Sequence, residues 1–355
     1  MQIPAISISV RAARILRPGV AGRVLASFER VCDLVTDAGE VVALVWDGIG
    51  NGPLNIALAQ GPGVSLPAGT RFAVEPTGET FGPGRIGRDS APIQLTGVLA
   101  VDRRGGPAVT QCGDSSAGFV KTQPPADVIP AKAGIQGRTL DSRLRGNDRF
   151  ANTFLGQPLR IDLSSAVPWN PQPDWQLLRA RRRQIVAGAG LIAGLLAAAG
   201  WSPARCGLPA SVCEQAARGQ PAAICALVGL GPGLTPAGDD WLAGWLLAQH
   251  ISADLRDILP EITTEARKAR RFQRQQIAEI AAERTTTLSR AFLACAAAGE
   301  ADAAWHALFS ALTTEPMTNL PIYQFTEAIL SHGATSGAAM LTGFCAGVAY
   351  LNPDS

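Results

Sequence analysis

The stretch Ser164-Ser-Ala-Val-Pro-Trp-Asn-Pro-Gln-Pro-Asp-Trp175 separates two regions of different texture. Pro168, Pro171 and Pro173 each remove a backbone donor and resist helix, so residues 164–175 read as a linker. Upstream, residues 1–163 carry short apolar or alternating runs (Val41–Trp46, Leu54–Ala59, Arg71–Val74, Ile93–Val101) broken by Gly and Pro clusters, the pattern of a β-rich domain. One segment departs from it: in Gly22–Val35, the residues Val24, Leu25, Phe28, Val31, Cys32 and Val35 fall at helical spacing and predict an early helix. Downstream, in residues 176–355, Ala and Leu dominate and β-branched alternation disappears, which predicts an α-helical domain. The expected class is α+β, a β-rich N-terminal domain followed by an α-helical one.

Composition narrows the function. A chain of 355 residues fits two domains. Lys+Arg of 31 against Asp+Glu of 29 leaves a net charge of +2, too small for a nucleic-acid footprint, so no nucleic-acid partner is expected. Hydrophobic residues at 47% with 17% charged exclude disorder of the whole chain. The 7 cysteines form no CxxC pair and only 3 histidines accompany them, so a structural zinc site is not expected. Arg11, Arg14 and Arg17 follow the first apolar residues, the reverse of a secretory signal; a reducing, cytoplasmic location is expected.

Two segments need separate treatment. Ile185–Trp201 is an unbroken apolar stretch at the lower edge of the roughly 17–25 residues that span a bilayer, diluted by Gly188, Gly190, Gly194 and Gly200. It reads as a buried helix whose Gly190-x-x-x-Gly194 spacing admits close neighbours, with no membrane association. Residues 121–150 carry six basic residues against three acidic ones without an amphipathic period, and read as a loop inserted into the β-rich domain. Within them, Val128–Phe150 resembles the translation of a dispersed bacterial intergenic repeat.

The chemistry is expected at Gly229-Leu-Gly-Pro-Gly-Leu-Thr-Pro-Ala-Gly-Asp-Asp-Trp-Leu-Ala-Gly244. Gly229, Gly231 and Gly233 form a loop that no side chain blocks, Thr235 is a good N-cap, and Pro236 suits the first helical position of a helix running to about Gln249. Such a start exposes N–H groups to a phosphate or carboxylate. It is not a nucleotide loop, because Asp239 and Asp240 follow Gly238 where a Walker motif needs Lys and Ser/Thr. The two carboxylates lie about 100° apart around the helix, so at most one points squarely into a shared site. Beside a bare anion they repel; the pair fits a Mg²⁺-bridged anion, or a ligand with both an acid and an amide or amine. Apart from that Mg²⁺, no cofactor is called for.

Gly337-Ala-Ala-Met-Leu-Thr-Gly343 repeats the glycine and leucine spacing of Gly238–Gly244, preceded by Thr335 and Ser336, so two similar helix starts can face one another across one site. Thr285-Thr-Thr-Leu-Ser289 is placed to cap a helix running on to Ala298. Ser336 beside His332 is a weak triad candidate without a GxSxG turn, and Cys225 reads as core. Arg267, Lys268, Arg270, Arg271 and Arg274 read as a solvated cationic face.

The Gly229–Gly244 motif, Thr285–Ser289, His332–Gly343, Ser27-Phe-Glu-Arg30 and Gly50-Asn-Gly-Pro-Leu-Asn55 together resemble a bacterial family that includes AllH, a subunit of the oxamate carbamoyltransferase of anaerobic allantoin degradation. The resemblance implies a part in carbamoyl transfer between carbamoyl phosphate and oxamate, in purine catabolism, alongside FdrA-type partner subunits. Both substrates are small anions bearing an amide, which suits helix-start N–H groups for the acid and Asp239 or Asp240, the catalytic candidates, for the NH₂. Substrate contacts are expected from Gly229, Gly231, Gly233, Thr235, Gly238, Thr335, Ser336 and Gly337. The STRT-type phosphate loop of ordinary carbamoyltransferases is missing. A non-catalytic partner or small-anion-sensing subunit, with a purely structural glycine loop, is the alternative.

Overall fold

The computed structural model describes residues 2–63, 66–75, 98–101, 159–251 and 277–350. Residues 121–150, expected as an inserted loop, and the cationic cluster Arg267–Arg274 lie outside the described residues.

The N-terminal region consists of β1 (Gln2–Ser9), α1 (Val10–Ile15), β2 (Ala21–Ser27), β3 (Val31–Thr36), β4 (Val41–Val45), β5 (Asn55–Leu58), β6 (Arg71–Glu75) and β7 (Val98–Val101), completed by β8 (Leu159–Asp162) and β9 (Val167–Trp169). The strand order is β5-β4-β3-β2-β6-β7-β8-β1-β9, and β1 pairs back onto β5, so the sheet closes into a barrel. β8 and β9 both run parallel to β1, one along its first half and the other along its second, as a single interrupted strand. Pro168 sits in β9, beside β1 in the last place of the strand order, where a missing donor is tolerated. Ile3, Leu34, Leu44, Ile56, Leu159 and Ile161 belong to the barrel core and are fully buried, while β3 and β4 are buried on both faces.

The early helix expected over Gly22–Val35 is not formed. Those residues make the antiparallel hairpin β2–β3, turning where the Phe28 N–H bonds the Val31 carbonyl at 2.7 Å. The cause is a bulge: Val24 opposes Leu34 and Ala26 opposes Asp33, leaving Leu25 as an extra residue. One inserted residue converts a period of two into apparent helical spacing, and the β-branched valines take the strand.

The C-terminal region is helical: α2 (Trp175–Ala180), α3 (Arg182–Ala198), α4 (Ala210–Ala217), α5 (Pro221–Leu227), α6 (Ala237–Ile251), α7 (277–284), α8 (Thr287–Ala297), α9 (Ala303–Thr313), α10 (Asn319–Leu330) and α11 (Ser336–Ala349). In α6 every residue except Gln249 is buried, Asp239, Asp240 and His250 included, the signature of a central helix. α11 lies directly against it. A Cβ at Gly244 would overlap the Met340 carbonyl, and one at Gly343 would overlap the Trp241 carbonyl. Gly347 meets Trp245 and Ala248, so contacts advance together along both helices, which therefore run side by side in the same direction.

α3 buries a stripe of Ile185, Gly188, Ala189, Ile192 and Leu196 and exposes the opposite face, so it is half-buried rather than enclosed. Nothing lies within 4 Å of a Cβ built at Gly190 or Gly194; the close approach is made by Gly188, against Leu312. Among the described residues no helix is long and apolar enough to cross a membrane.

The two regions meet along α8. Val35, Val41 and Leu54 on the outer wall of the barrel pack against Leu288 and Cys295. The Arg11–Glu300 ion pair and a 2.8 Å bond from the Ala303 N–H to the Asn51 carbonyl extend the junction.

The α6–α11 seam predicts opposite outcomes for two glycine classes. Gly244→Ala and Gly343→Ala should each lower unfolding free energy by about 1–3 kcal/mol through overpacking. Gly190→Ala, in an exposed helix interior with open space, should raise it by about 0.5–1 kcal/mol. Urea denaturation followed by circular dichroism measures all three.

Candidate functional site

Because α6 and α11 run in the same direction, their N-termini lie level. The Thr235 and Ser336 hydroxyl oxygens are 3.2 Å apart, and this pair joins the two helix starts. The helix expected from Thr235 begins at Ala237; the Pro236 carbonyl accepts the Asp240 N–H, and Thr235 faces Ser336 instead of capping. The glycine loop bends as its residue types require. Gly229, Gly231 and Gly233 have φ of +73°, +118° and +100°, the left-handed region that favours glycine. Gly231–Leu234 are exposed, as are Gly333 and Ala334 across the site, so solvent reaches the cluster from both sides.

The two aspartates have different roles. Asp239 is 1% exposed and fully bonded: Oδ1 accepts the Gly229 N–H at 2.8 Å, while Oδ2 accepts the Ser289 hydroxyl at 2.7 Å and the Thr285 hydroxyl. It ties the glycine loop to the α7–α8 junction. A Cβ on Gly229 would strike the Arg284 carbonyl, so the loop is also held against that junction by contact. Thr286 caps α8, accepting the Ser289 N–H at 3.0 Å. The Thr285–Ser289 segment therefore caps a helix, as expected, and also binds Asp239.

Asp240, 8% exposed, has one carboxylate oxygen, Oδ2, buried without a hydrogen-bond partner. Burial pushes its carboxyl up to about 7; the Ser336 and Thr235 hydroxyls oppose the shift, and the Asp239 charge reinforces it. The Cys206 thiol lies within electrostatic reach and is itself raised, chiefly by burial. Asp240 is thus a carboxyl whose ionisation is held near pH 7 beside the paired helix starts.

The remaining expected site residues divide. Gly238 and Gly337 are buried and back onto the Leu227 and Ile329 carbonyls, so they serve packing of each helix on its predecessor. Thr335 occupies the N-cap of α11 but makes no side-chain capping bond, and no acid stands in that first turn. The expected His332–Ser336 partnership is not the one seen: His332 Nδ1 lies 3.7 Å from Asp302, while Ser336 faces Thr235. Burial pushes the Cys295 and Cys345 thiols to about 12, which makes them inert. Cys225 is half-buried, and its carbonyl accepts from Arg284 at 2.9 Å. Among the described residues no three His, Cys, Asp or Glu side chains gather as a metal site. Arg284, whose carbonyl seals against Gly229, was not anticipated, because a backbone contact leaves no residue signature.

A closed barrel joined to a helical region, with its polar cluster at paired helix starts, defines the architecture in which this site is built. From the end of α5 to the end of α11, residues 227–348 match the model of the family described as oxamate carbamoyltransferase subunit AllH, in agreement with the resemblance of the glycine motif. Comparison with the curated proteins and with the solved structures finds no match.

The two aspartates should respond oppositely to neutralisation. Asp240 has a folded pKa near 7 against an ordinary 3.8, so its ionisation costs stability as pH rises from about 4 to about 7, and the cost persists above that. Asp240→Asn should therefore raise the melting temperature by a few degrees at pH 8, with the gain fading as pH falls from about 7 to about 4. Asp239→Ala leaves three donors unpaired and should cost at least about 2 kcal/mol. Thermal melts of both variants at pH 4, 6 and 8 provide the check.

Proposed function

We propose that this chain is a subunit of an oxamate carbamoyltransferase-type enzyme and that its α6–α11 helix starts contribute the small-anion site. The observation that carries this reading is Asp240: a buried carboxylate with an unpartnered oxygen, poised near pH 7 beside the paired Thr235 and Ser336 hydroxyls. The family match over this segment supports the substrate class, and the word subunit in its description supports a multi-chain enzyme. FdrA-type chains are the proposed partners, and the free buried thiols accord with a reducing cytoplasm.

In the transfer, the oxamate amide nitrogen attacks the carbamoyl carbon. A C–N bond forms, the C–O bond to phosphate breaks, and phosphate leaves with that electron pair. The nitrogen must shed a proton, and Asp240 is the group placed to accept it; a base poised near the working pH is the efficient choice. Asp239, with both oxygens engaged by this chain, holds the loop in place. In a Mg²⁺-bridged version of the site, Asp240 is the carboxylate with capacity left for the ion.

A second reading is favoured by one observation: His332 is engaged with Asp302, which leaves Asp240 without the acid partner that a self-sufficient catalytic set would have. In that case the chain senses a small anion and a partner subunit performs the transfer.

The test is a carbamoyl phosphate plus oxamate assay on the chain purified with its partner subunits. Asp240→Asn should lower kcat by about 10²–10⁴ with the complex intact, and wild-type kcat should rise with pH through about 7. Full activity in Asp240→Asn would overturn the catalytic assignment and leave the sensing one.

A further inference from the structure

We infer that the two helix starts are unequal halves of one site, in which the α11 start takes the acid group of the ligand and Asp240 on α6 selects a nitrogen-bearing group at the other end and rejects a second acid. The inference rests on the proposed small-anion site and names the residue that sets its specificity. Three observations carry it.

First, the halves are adjacent and level. The reciprocal contacts of Gly244 with Met340 and of Gly343 with Trp241 fix the helices side by side, and the Thr235 and Ser336 hydroxyls meet between their starts. A single small molecule can touch both.

Second, the halves differ in charge. The first turn of α6 carries Asp239 and Asp240, which offset the positive helix end. The corresponding residues of α11 are Ala338 and Ala339; no acid stands in that turn and Thr335 at the N-cap makes no side-chain bond to it, while the His332 carbonyl takes the Gly337 N–H at 3.0 Å and leaves the neighbouring N–H groups of the start for a ligand. An anion therefore gains at the α11 start and is repelled at the α6 start.

Third, α6 offers one free acceptor. Asp239 has three donors from this chain, whereas Asp240 Oδ2 is buried with none. A ligand N–H supplies the missing bond once the Thr235 and Ser336 hydroxyls turn aside, and a ligand carboxylate cannot. Among the described residues the groups that act on Asp240 are Asp239, Thr235, Ser336 and the Cys206 thiol; the nearby cation, Arg205, acts on Cys206 and bonds the Ala199 and Gly200 carbonyls.

Isothermal titration of the full chain at pH 8 with oxamate, oxalate and oxamide tests the assignment without any transfer chemistry. Oxamate, with one acid and one amide, should bind at least 10-fold tighter than oxalate, with two acids, and than oxamide, with none. Asp240→Asn should bring oxalate to within about threefold of oxamate. Thr335→Asp supplies α11 with a capping carboxylate, and should weaken oxamate at least 10-fold without lowering the melting temperature, an outcome that a merely structural role of Thr335 would not give. Equal binding of oxamate and oxalate, an unchanged ratio in Asp240→Asn, unchanged affinity in Thr335→Asp, or no binding of any of the three would overturn the inference. Discrimination between the ligands without transfer activity would instead overturn the proposed function and leave this assignment standing.

Discussion

The arrangement of the helical region turns on one carboxylate. Asp239 stands at the start of a helix buried on nearly every face, and it is there because three donors meet it. A buried ionised group is costly unless hydrogen-bonded. The Gly229 N–H and the Thr285 and Ser289 hydroxyls each come from a segment with another structural duty: Gly229 opens the loop, Thr285 ends α7, and Ser289 lies in the first turn of α8. One side chain thereby fixes the position of three chain segments relative to the start of α6. The glycine loop can be open and exposed because its root is held this way, and Asp240 one residue later can be left incompletely satisfied.

That division of labour follows from helical geometry. Successive residues point about 100° apart, so adjacent aspartates cannot share an environment. One faces the α7–α8 junction and has both oxygens bonded; the other lies beside Ser336 of α11 and keeps one oxygen without a partner. The α11 helix has alanines in the matching places, so the paired starts are alike in backbone and unlike in charge. A site of that kind distinguishes the two ends of a small ligand without needing many side chains, and the positions that build it are mostly glycines and hydroxyls.

Much of this was legible in residue order. The change from β-branched alternation to Ala and Leu announced strands followed by helices, because those choices are local. The Thr-Pro-Ala-Gly-Asp-Asp start and its partner at Thr335–Gly343 were legible for the same reason. What was not legible depended on distant neighbours. The proline-rich stretch 164–175, expected as a linker, instead holds β9, whose place beside β1 no local signal declares. Leu25 disguised a hairpin as a helix, because a bulge alters periodicity without altering composition. Gly188, rather than Gly190 or Gly194, makes the tight contact of α3, since the choice is made by Leu312 far along the chain. Barrel closure rests on β1 meeting β5, a pairing that neither strand declares alone. The separation of Asp239 from Asp240 was foreseen as a consequence of geometry, but which of them is bonded depends on Ser289, fifty residues away.

The β7–β8 pair has a consequence of its own. Val101 is paired with Leu159, so the intervening chain leaves and returns at a single rung of the ladder. The entropy of closing such a connection grows only logarithmically with its length, about 0.6 kcal/mol for each doubling. A segment acquired between these two rungs is therefore nearly free of thermodynamic penalty, and the barrel register that holds its ends does not depend on how many residues lie between them. The sequence between these rungs includes Val128–Phe150, and the pairing of Val101 with Leu159 sets the same distance between the ends of the connection whatever its length.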